Sequence, residues 1–239
     1  MHRLERDHWW FRGKRAAIAS LLDRAGASPP GPGDVVVDVG CGTGAILERF
    51  AAGAVAVGID DHADALRYAR ERSGALLVRS DARGLPFGSG TVDRAFLLDV
   101  AEHVPEDAAV FAEIRRVLKP TGLAVIHVPA HPRMWSPHDE AMHHVRRYTR
   151  AELESRISEA GLTPILLTYT FGALLLPAAA VRAWKRRDSA RAADERADFG
   201  VAPSWMNRIL AGWQGIEAGW LARANLPFGV SLAAVVRPE

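Results

Sequence analysis

A single cysteine, Cys41, is all the thiol chemistry that 239 residues offer. No intrachain disulfide is possible, which removes the stapled secreted scaffolds from consideration. An excess of charge of one sign is also lacking, since 30 Lys and Arg face 28 Asp and Glu for a formal net charge of +2. So small an excess, with no basic stripe interleaved with aromatics, argues against nucleic acid as a partner. Residues 1–8 show no apolar run of the kind a secretory signal needs. The most apolar stretch, FGALLLPAAAVRAW at 171–184, is too short and too interrupted by proline to span a bilayer. These absences predict a cytoplasmic protein.

What is present is enough apolar side chain, 49%, to bury a substantial core. The length suits one α/β domain over 1–239. Ile18, Leu21, Leu22 and Ala25 recur at helical spacing, with Gly26 as a C-cap, so 1–33 reads as an N-terminal cap helix and a Pro/Gly linker. A core over 34–170 then alternates short apolar strands with helical stretches. The strands are VVVDV, AVAVGID, ALLVR, RAFLLD, LAVIHV and PILLTY; the helices are a short one ending at Phe50, one over 62–72, one over 105–118, and one opened by the Thr149/Glu152 capping box and ending at Gly161. Residues 171–184 read as a buried or interfacial helix, and 185–198 as a solvated helix or loop. A helix over 204–224 carries Trp205, Ile209, Trp213, Ile216 and Trp220. Residues 171–226 thus form a helical insertion or lid before a last strand in 227–239. The pattern predicts a doubly wound, Rossmann-like, seven-stranded parallel sheet with helices on both faces.

The strongest local signal is VVVDVGCGTGA, residues 35–45. A strand runs into a turn holding Gly40, Gly42 and Gly44, where missing side chains let the backbone approach a ligand. The spacing is not G-x-G-x-x-G, and Asp38 at the strand end would repel a pyrophosphate, so a dinucleotide fits poorly. The second strand ends at Asp60, whose carboxylate can accept both hydroxyls of a ribose, with Asp61 as a substitute. Asp81 follows the third strand, and Asp99, Glu102 and His103 follow the fourth. Asp93 is expected to cap or turn before strand four.

The order and spacing of DVGCGTG, GID, SDARGLPF with TVD, DVAEHV and LKPTG resemble a class I S-adenosylmethionine-dependent methyltransferase, of the methyltransferase type 11 kind. The resemblance implies S-adenosyl-L-methionine as cofactor. Gly40, Gly42 and Gly44, with Cys41 as a small turn residue, would surround its amino-acid part, and Asp38 would lie near its ammonium. Asp60 would bind the ribose, and Asp81 with the Ala82 backbone the adenine. Asp99 and His103 would line the same pocket. The N-terminal HWWFR also resembles a segment that folds over the pocket in some members. There Trp10 and Phe11 would exclude water, and Arg12 or Arg15 would pair with a carboxylate; anchoring of the first helix is the competing reading.

The segment 129–148 has neither helical nor strand period and reads as the substrate loop. It gathers His131, His138, His143 and His144 with Asp139, Glu140, Arg146, Arg147 and Tyr148. His138 and His143 are the candidate bases, with Tyr148 and Arg147 as positioning groups. A metal held by His138, Asp139, His143 and His144 is the rival, but that spacing matches no tight ligand motif, so no metal is expected. Plain surface histidines are the third reading. The function expected is methyl transfer by in-line displacement to an O or N nucleophile of a small, hydrophobic metabolite, as in specialised metabolism. A lipid met by peripheral membrane contact, or a peptide, is the alternative acceptor. From other classes, a nicotinamide-dependent oxidoreductase and a non-catalytic cofactor-binding protein stay open. A monomer or a homodimer is expected.

Overall fold

The computed structural model describes residues 7–175 and 203–239. Seven strands form one sheet: β1 Val35–Val39, β2 Val55–Asp60, β3 Leu76–Arg79, β4 Val92–Leu98, β5 Leu118–Pro129, β6 Leu162–Thr170 and β7 Ser231–Pro238. Their order across the sheet is β3-β2-β1-β4-β5-β7-β6. The expected α/β architecture is present, with one departure: β7 enters antiparallel between β5 and β6. The apolar pattern of a buried strand reads the same in either direction, so only the connection that delivers β7 settles its sense.

β-branched residues make β1 a natural central strand, and it is buried on both faces between β2 and β4. One face is packed by α3 (Asp107–Val117) and α5 (Arg150–Glu159), which bring Phe111, Ile114, Leu153 and Ile157 onto Val37, Leu97 and Ile126. The opposite face is covered by α1 (Trp9–Arg24), whose Ile18 and Leu22 meet Val36, Phe96 and Val125. Ala17 and Leu21 of α1 join Leu221 at the end of α6 (Ser204–Leu221) over Ala233 and Val235. Gly13 permits that close approach of α1 to α6, since a Cβ there would lie 2.7 Å from the Gln214 side chain.

The helix expected to run to Phe50 is a 3-10 turn, Leu47–Arg49. Fully buried Leu47 is drawn under the sheet edge, where a Cβ on Gly58 would meet it at 2.6 Å. The helix expected at 62–72 is α2 (Ala63–Ser73), ended by Gly74 in the left-handed region. The loop after β5 is not featureless either: it holds a 3-10 turn, Pro132–Met134, and α4 (Pro137–Ala141), capped reciprocally by Ser136 and Asp139. Asp93 lies inside β4, where it accepts from the Val35 backbone and pairs with Lys119 at 2.7 Å. Within 171–226, the expected helix over 204–224 is α6, while the readings of 176–202 lie outside the described residues. The stripe Trp205, Ile209, Trp213, Ile216 and Trp220 faces outward, each more than half exposed, and Gln214, Ala218 and Leu221 face in.

Between β1 and β4 the strand order reverses. The carboxyl ends of the strands at such a reversal are the position where doubly wound sheets hold ligands.

Candidate functional site

β1 carries Asp38, ends at Val39 and turns through Gly40, Gly42 and Gly44, all with positive φ. Gly40 cannot carry a side chain, since its Cβ would lie 2.3 Å from Val100, and nothing stands within 4 Å of a Cβ on Gly42. The turn is therefore closed on the β4 side and open above Gly42. Asp60, at the end of β2, holds the turn by accepting from the Gly42 amide at 2.9 Å, and its other oxygen accepts from the His62 amide at 2.9 Å. Asp61 is exposed and pairs with the His62 ring. Asp38 is buried, and loss of water, with a push from Asp60 against the pull of Lys14, raises its carboxyl to about 7. Buried Cys41 has its thiol pushed far up by burial and by Asp38 and Asp60, so it stays an inert turn residue.

Asp81 sits in the loop after β3, where the Arg83 amide and guanidinium hold its carboxyl below the usual range. Ala82 packs beside it, partly buried. Both occupy the same sheet edge as Asp60, one strand further out.

After β4, Asp99 takes a left-handed conformation, φ 56°. One of its oxygens meets Lys14 Nζ of α1 at 2.6 Å and the other meets His127 Nδ1 of β5 at 2.6 Å. Burial opposes ionisation there, but the Lys14 and His127 contacts outweigh it and hold the carboxyl well below its ordinary value. His127 Nε2 reaches Thr170 Oγ1 at 3.2 Å. α1 thus delivers Lys14 to a carboxylate, where Arg12 or Arg15 was expected. His127 was missed altogether, although a lone polar residue between Ile126 and Val128 signals a buried group that needs partners. Trp10 does reach this end of the sheet, stacked on Phe171 with centroids 4.0 Å apart, and Phe171 stands edge-on to His127.

Beyond Asp99, a 3-10 turn of Ala101–His103 buries Glu102 completely. Neither of its carboxyl oxygens has a hydrogen-bond partner among the described residues, and burial with the nearby Asp99 charge pushes its carboxyl well up. His103 lies next to it, its ring centroid 4.8 Å from that of His144 in the loop after β5.

Among the loop residues singled out above, the structure sorts positions that spacing could not. Asp139 is the loop's anchor, fully buried and bound by Ser136, His144 Nδ1 at 3.0 Å and Arg147 Nε at 2.6 Å. His144, not His138 or His143, therefore faces the β4 end. His143 is exposed in a left-handed turn, φ 58°, and His138 lies on α4 with Nδ1 buried. Tyr148, expected as a positioning group, is buried and donates to Asp107 Oδ2 at 2.9 Å. Burial and that carboxylate push its phenol far up, so it remains a donor. Arg147 holds the loop through Asp139 and the Ala130 carbonyl. His131 binds the Gly229 carbonyl at 2.9 Å.

Comparison with known proteins places this geometry. Residues 37–126 match the model of a methyltransferase domain family. An uncharacterized methyltransferase of Mycobacterium sp. (strain JLS) is 33% identical over 144 residues, 56% of this chain and 57% of that protein. The chain thus spans a little over half the length of the curated relatives it matches. Among solved structures, a SAM-dependent methyltransferase from Thermotoga maritima superposes with a TM-score of 0.60 at 14% identity, covering 97% of this chain and 93% of that one. Haemonchus contortus phosphoethanolamine N-methyltransferase 2, solved in complex with S-adenosyl-L-methionine, gives 0.59 at 17% identity over 93% of this chain and 52% of that one. These structures share the fold, and the motif order, the matched domain and the sheet agree. Residues 37–126 resemble a methyltransferase-family domain, and the sheet that contains them has the fold of solved SAM-dependent methyltransferases.

Proposed function

We propose that this protein transfers a methyl group from S-adenosylmethionine to an oxygen or nitrogen of a small, largely apolar acceptor. The observation that carries the reading is the pairing of an open glycine turn with two carboxylates, Asp38 and Asp60, at the switch point of the sheet. These residues fit the cofactor chemically. A buried Asp38 raised to about 7 calls for a cation, and the cofactor's ammonium provides one. Asp60 stands at the edge where a ribose diol would be recognised, and Asp81 and Ala82 follow at the adenine end. S-adenosylmethionine, when bound, supplies an electrophilic methyl carbon on a positively charged sulfur.

The chain's contribution is alignment and exclusion of water. Gly42 admits the ligand against backbone, while Gly40 lets the turn pass close to Val100. The stacked Trp10 and Phe171 form an apolar wall beside Asp99 and His127, which supports an apolar acceptor. A new bond forms from the acceptor's lone pair to the methyl carbon, the carbon–sulfur bond breaks towards sulfur, and the acceptor's proton leaves. Glu102, His103 and His144, beside Asp99, are the polar groups proposed to face that nucleophile, in place of His138 and His143. Asp60→Ala tests the cofactor site: a tenfold or greater loss of S-adenosylmethionine affinity is expected, and unchanged affinity removes Asp60 as the ribose ligand.

A second reading, an acceptor met at a lipid surface, is favoured by the outward apolar stripe of α6. No helix among the described residues is long and apolar enough to cross a membrane. Co-sedimentation with anionic phospholipid vesicles, lost on Trp213→Ser and Trp220→Ser, separates the two readings.

A further inference from the structure

Three side chains from two distant parts of the chain converge at the carboxyl end of β4. Glu102 and His103 come from the turn after the strand and His144 from the loop after β5, and one ligand atom from each lies within 4.8 Å of the others. Two observations distinguish this group from ordinary polar neighbours. Glu102 is wholly buried with both oxygens lacking a hydrogen-bond partner among the described residues, an arrangement that is costly unless something else occupies them. One of the two histidines is also held from behind. His144 directs Nδ1 to Asp139 Oδ1 at 3.0 Å, which leaves Nε2 for the cluster. A carboxylate or carbonyl behind an imidazole is how metal-ligating histidines are oriented and made more basic.

The nearest cations do not satisfy Glu102. Lys14 is bound to Asp99 at 2.6 Å and Arg147 to Asp139 at 2.6 Å, so each is matched to another carboxylate. We propose that Glu102, His103 and His144 bind a divalent transition-metal cation, with zinc, cobalt or iron(II) favoured over magnesium or calcium. Two imidazoles and one carboxylate are the donor set of such ions, whereas magnesium and calcium want oxygen alone. Bound at bond lengths near 2.1 Å, neighbouring ligand atoms stand about 3.4 Å apart, so the side chains need to close in by ~1 Å. The set shares only His144 with the one weighed from spacing, which took His138, Asp139, His143 and His144; Asp139 serves behind the ligand His144. Three protein ligands leave coordination positions open, and an acceptor hydroxyl bound there would lose its proton more readily. That last role alone rests on the methyl-transfer reading.

The test is metal binding itself, which is independent of activity. Full-length protein is stripped with a chelator and titrated calorimetrically with Zn²⁺ and with Mg²⁺, and the Co²⁺ adduct is followed by visible absorption. One Zn²⁺ per chain is expected, with a higher melting temperature, a Co²⁺ spectrum of nitrogen and oxygen ligation, and no comparable Mg²⁺ binding. Glu102→Gln and His144→Gln should each weaken Zn²⁺ by about a hundredfold or more, while His62→Ala, in the exposed Asp60–Asp61–His62 group, should not. Failure of the wild-type chain to bind Zn²⁺ or Co²⁺ would overturn the proposal, whatever the variants do. So would undiminished binding by the folded Glu102→Gln and His144→Gln proteins, or loss on His62→Ala alone.

Discussion

Lys14 Nζ lies 2.6 Å from Asp99 Oδ2 across 85 residues of sequence, and this contact ties the N-terminal helix to the carboxyl end of β4. The other Asp99 oxygen is held by His127, so the carboxylate is shared between a helix on one face and a strand of the sheet. Lys14→Met keeps the aliphatic stem but leaves a largely buried carboxylate one cation short. A loss of about 2–4 kcal/mol in unfolding free energy is expected by denaturant titration. The loss should shrink in the Lys14→Met/Asp99→Asn double variant, because the uncompensated charge is then gone.

On the proposed reading, in which Asp38 meets the cofactor's ammonium, this residue sets the pH dependence of cofactor binding. Its carboxyl, raised to about 7 by burial, holds its proton below that pH, whereas pairing with an ammonium requires the ionised form. Affinity should therefore be flat above about pH 7 and fall towards tenfold per unit below it, about 1.4 kcal/mol each. Calorimetry from pH 5.5 to 8.5 measures this. Asp38→Asn should bind more weakly at pH 8 and lose the slope; a slope that survives the substitution assigns the proton to another group.

Tyr148 separates a structural role from a catalytic one. Its hydroxyl donates to Asp107, which also meets Arg146 at 3.0 Å and Arg156 at 3.3 Å. Tyr148→Phe removes one of these partners inside the core, so stability should drop by about 1–2 kcal/mol while cofactor affinity is retained. Reduced cofactor affinity at unchanged stability would place the phenol in the site after all.

Gly13 makes a prediction opposite to helix propensity. Alanine is the better helix former, yet a Cβ at this position would meet Gln214 at 2.7 and 2.9 Å. Gly13→Ala should lower the melting temperature by an amount corresponding to about 1–3 kcal/mol of overpacking. A rise would mean that α1 and α6 can separate without cost.

The parts of this molecule legible in its sequence are those written locally. Residues 35–45 spell a buried strand, a turn and the glycines it needs, and the strand ending at Asp60 lies one hydrogen-bonded strand away. Thr149 and Glu152 cap α5 as their spacing predicts. The same logic was available at Ser136 and Asp139, a Ser-x-x-Asp pattern that would have marked Asp139 as a buried anchor rather than a loop carboxylate. What local pattern could not supply was pairing at long range. Lys14 and Arg15 are adjacent cations, and only the docking of α1 on the sheet decides which one meets Asp99. His143 and His144 are adjacent imidazoles, and the left-handed turn at His143 decides which one faces Glu102. The tryptophans of α6 kept helical spacing, but that periodicity does not say whether the apolar face looks in or out.

The most direct test of the account is calorimetric titration of the purified chain with S-adenosylmethionine, S-adenosylhomocysteine and NAD in parallel. One site per chain for each adenosyl ligand, with no NAD heat and with both affinities weakened by Asp60→Ala, is the predicted result. Binding of NAD in their place would contradict the assignment of the glycine turn, and methyl transfer with it.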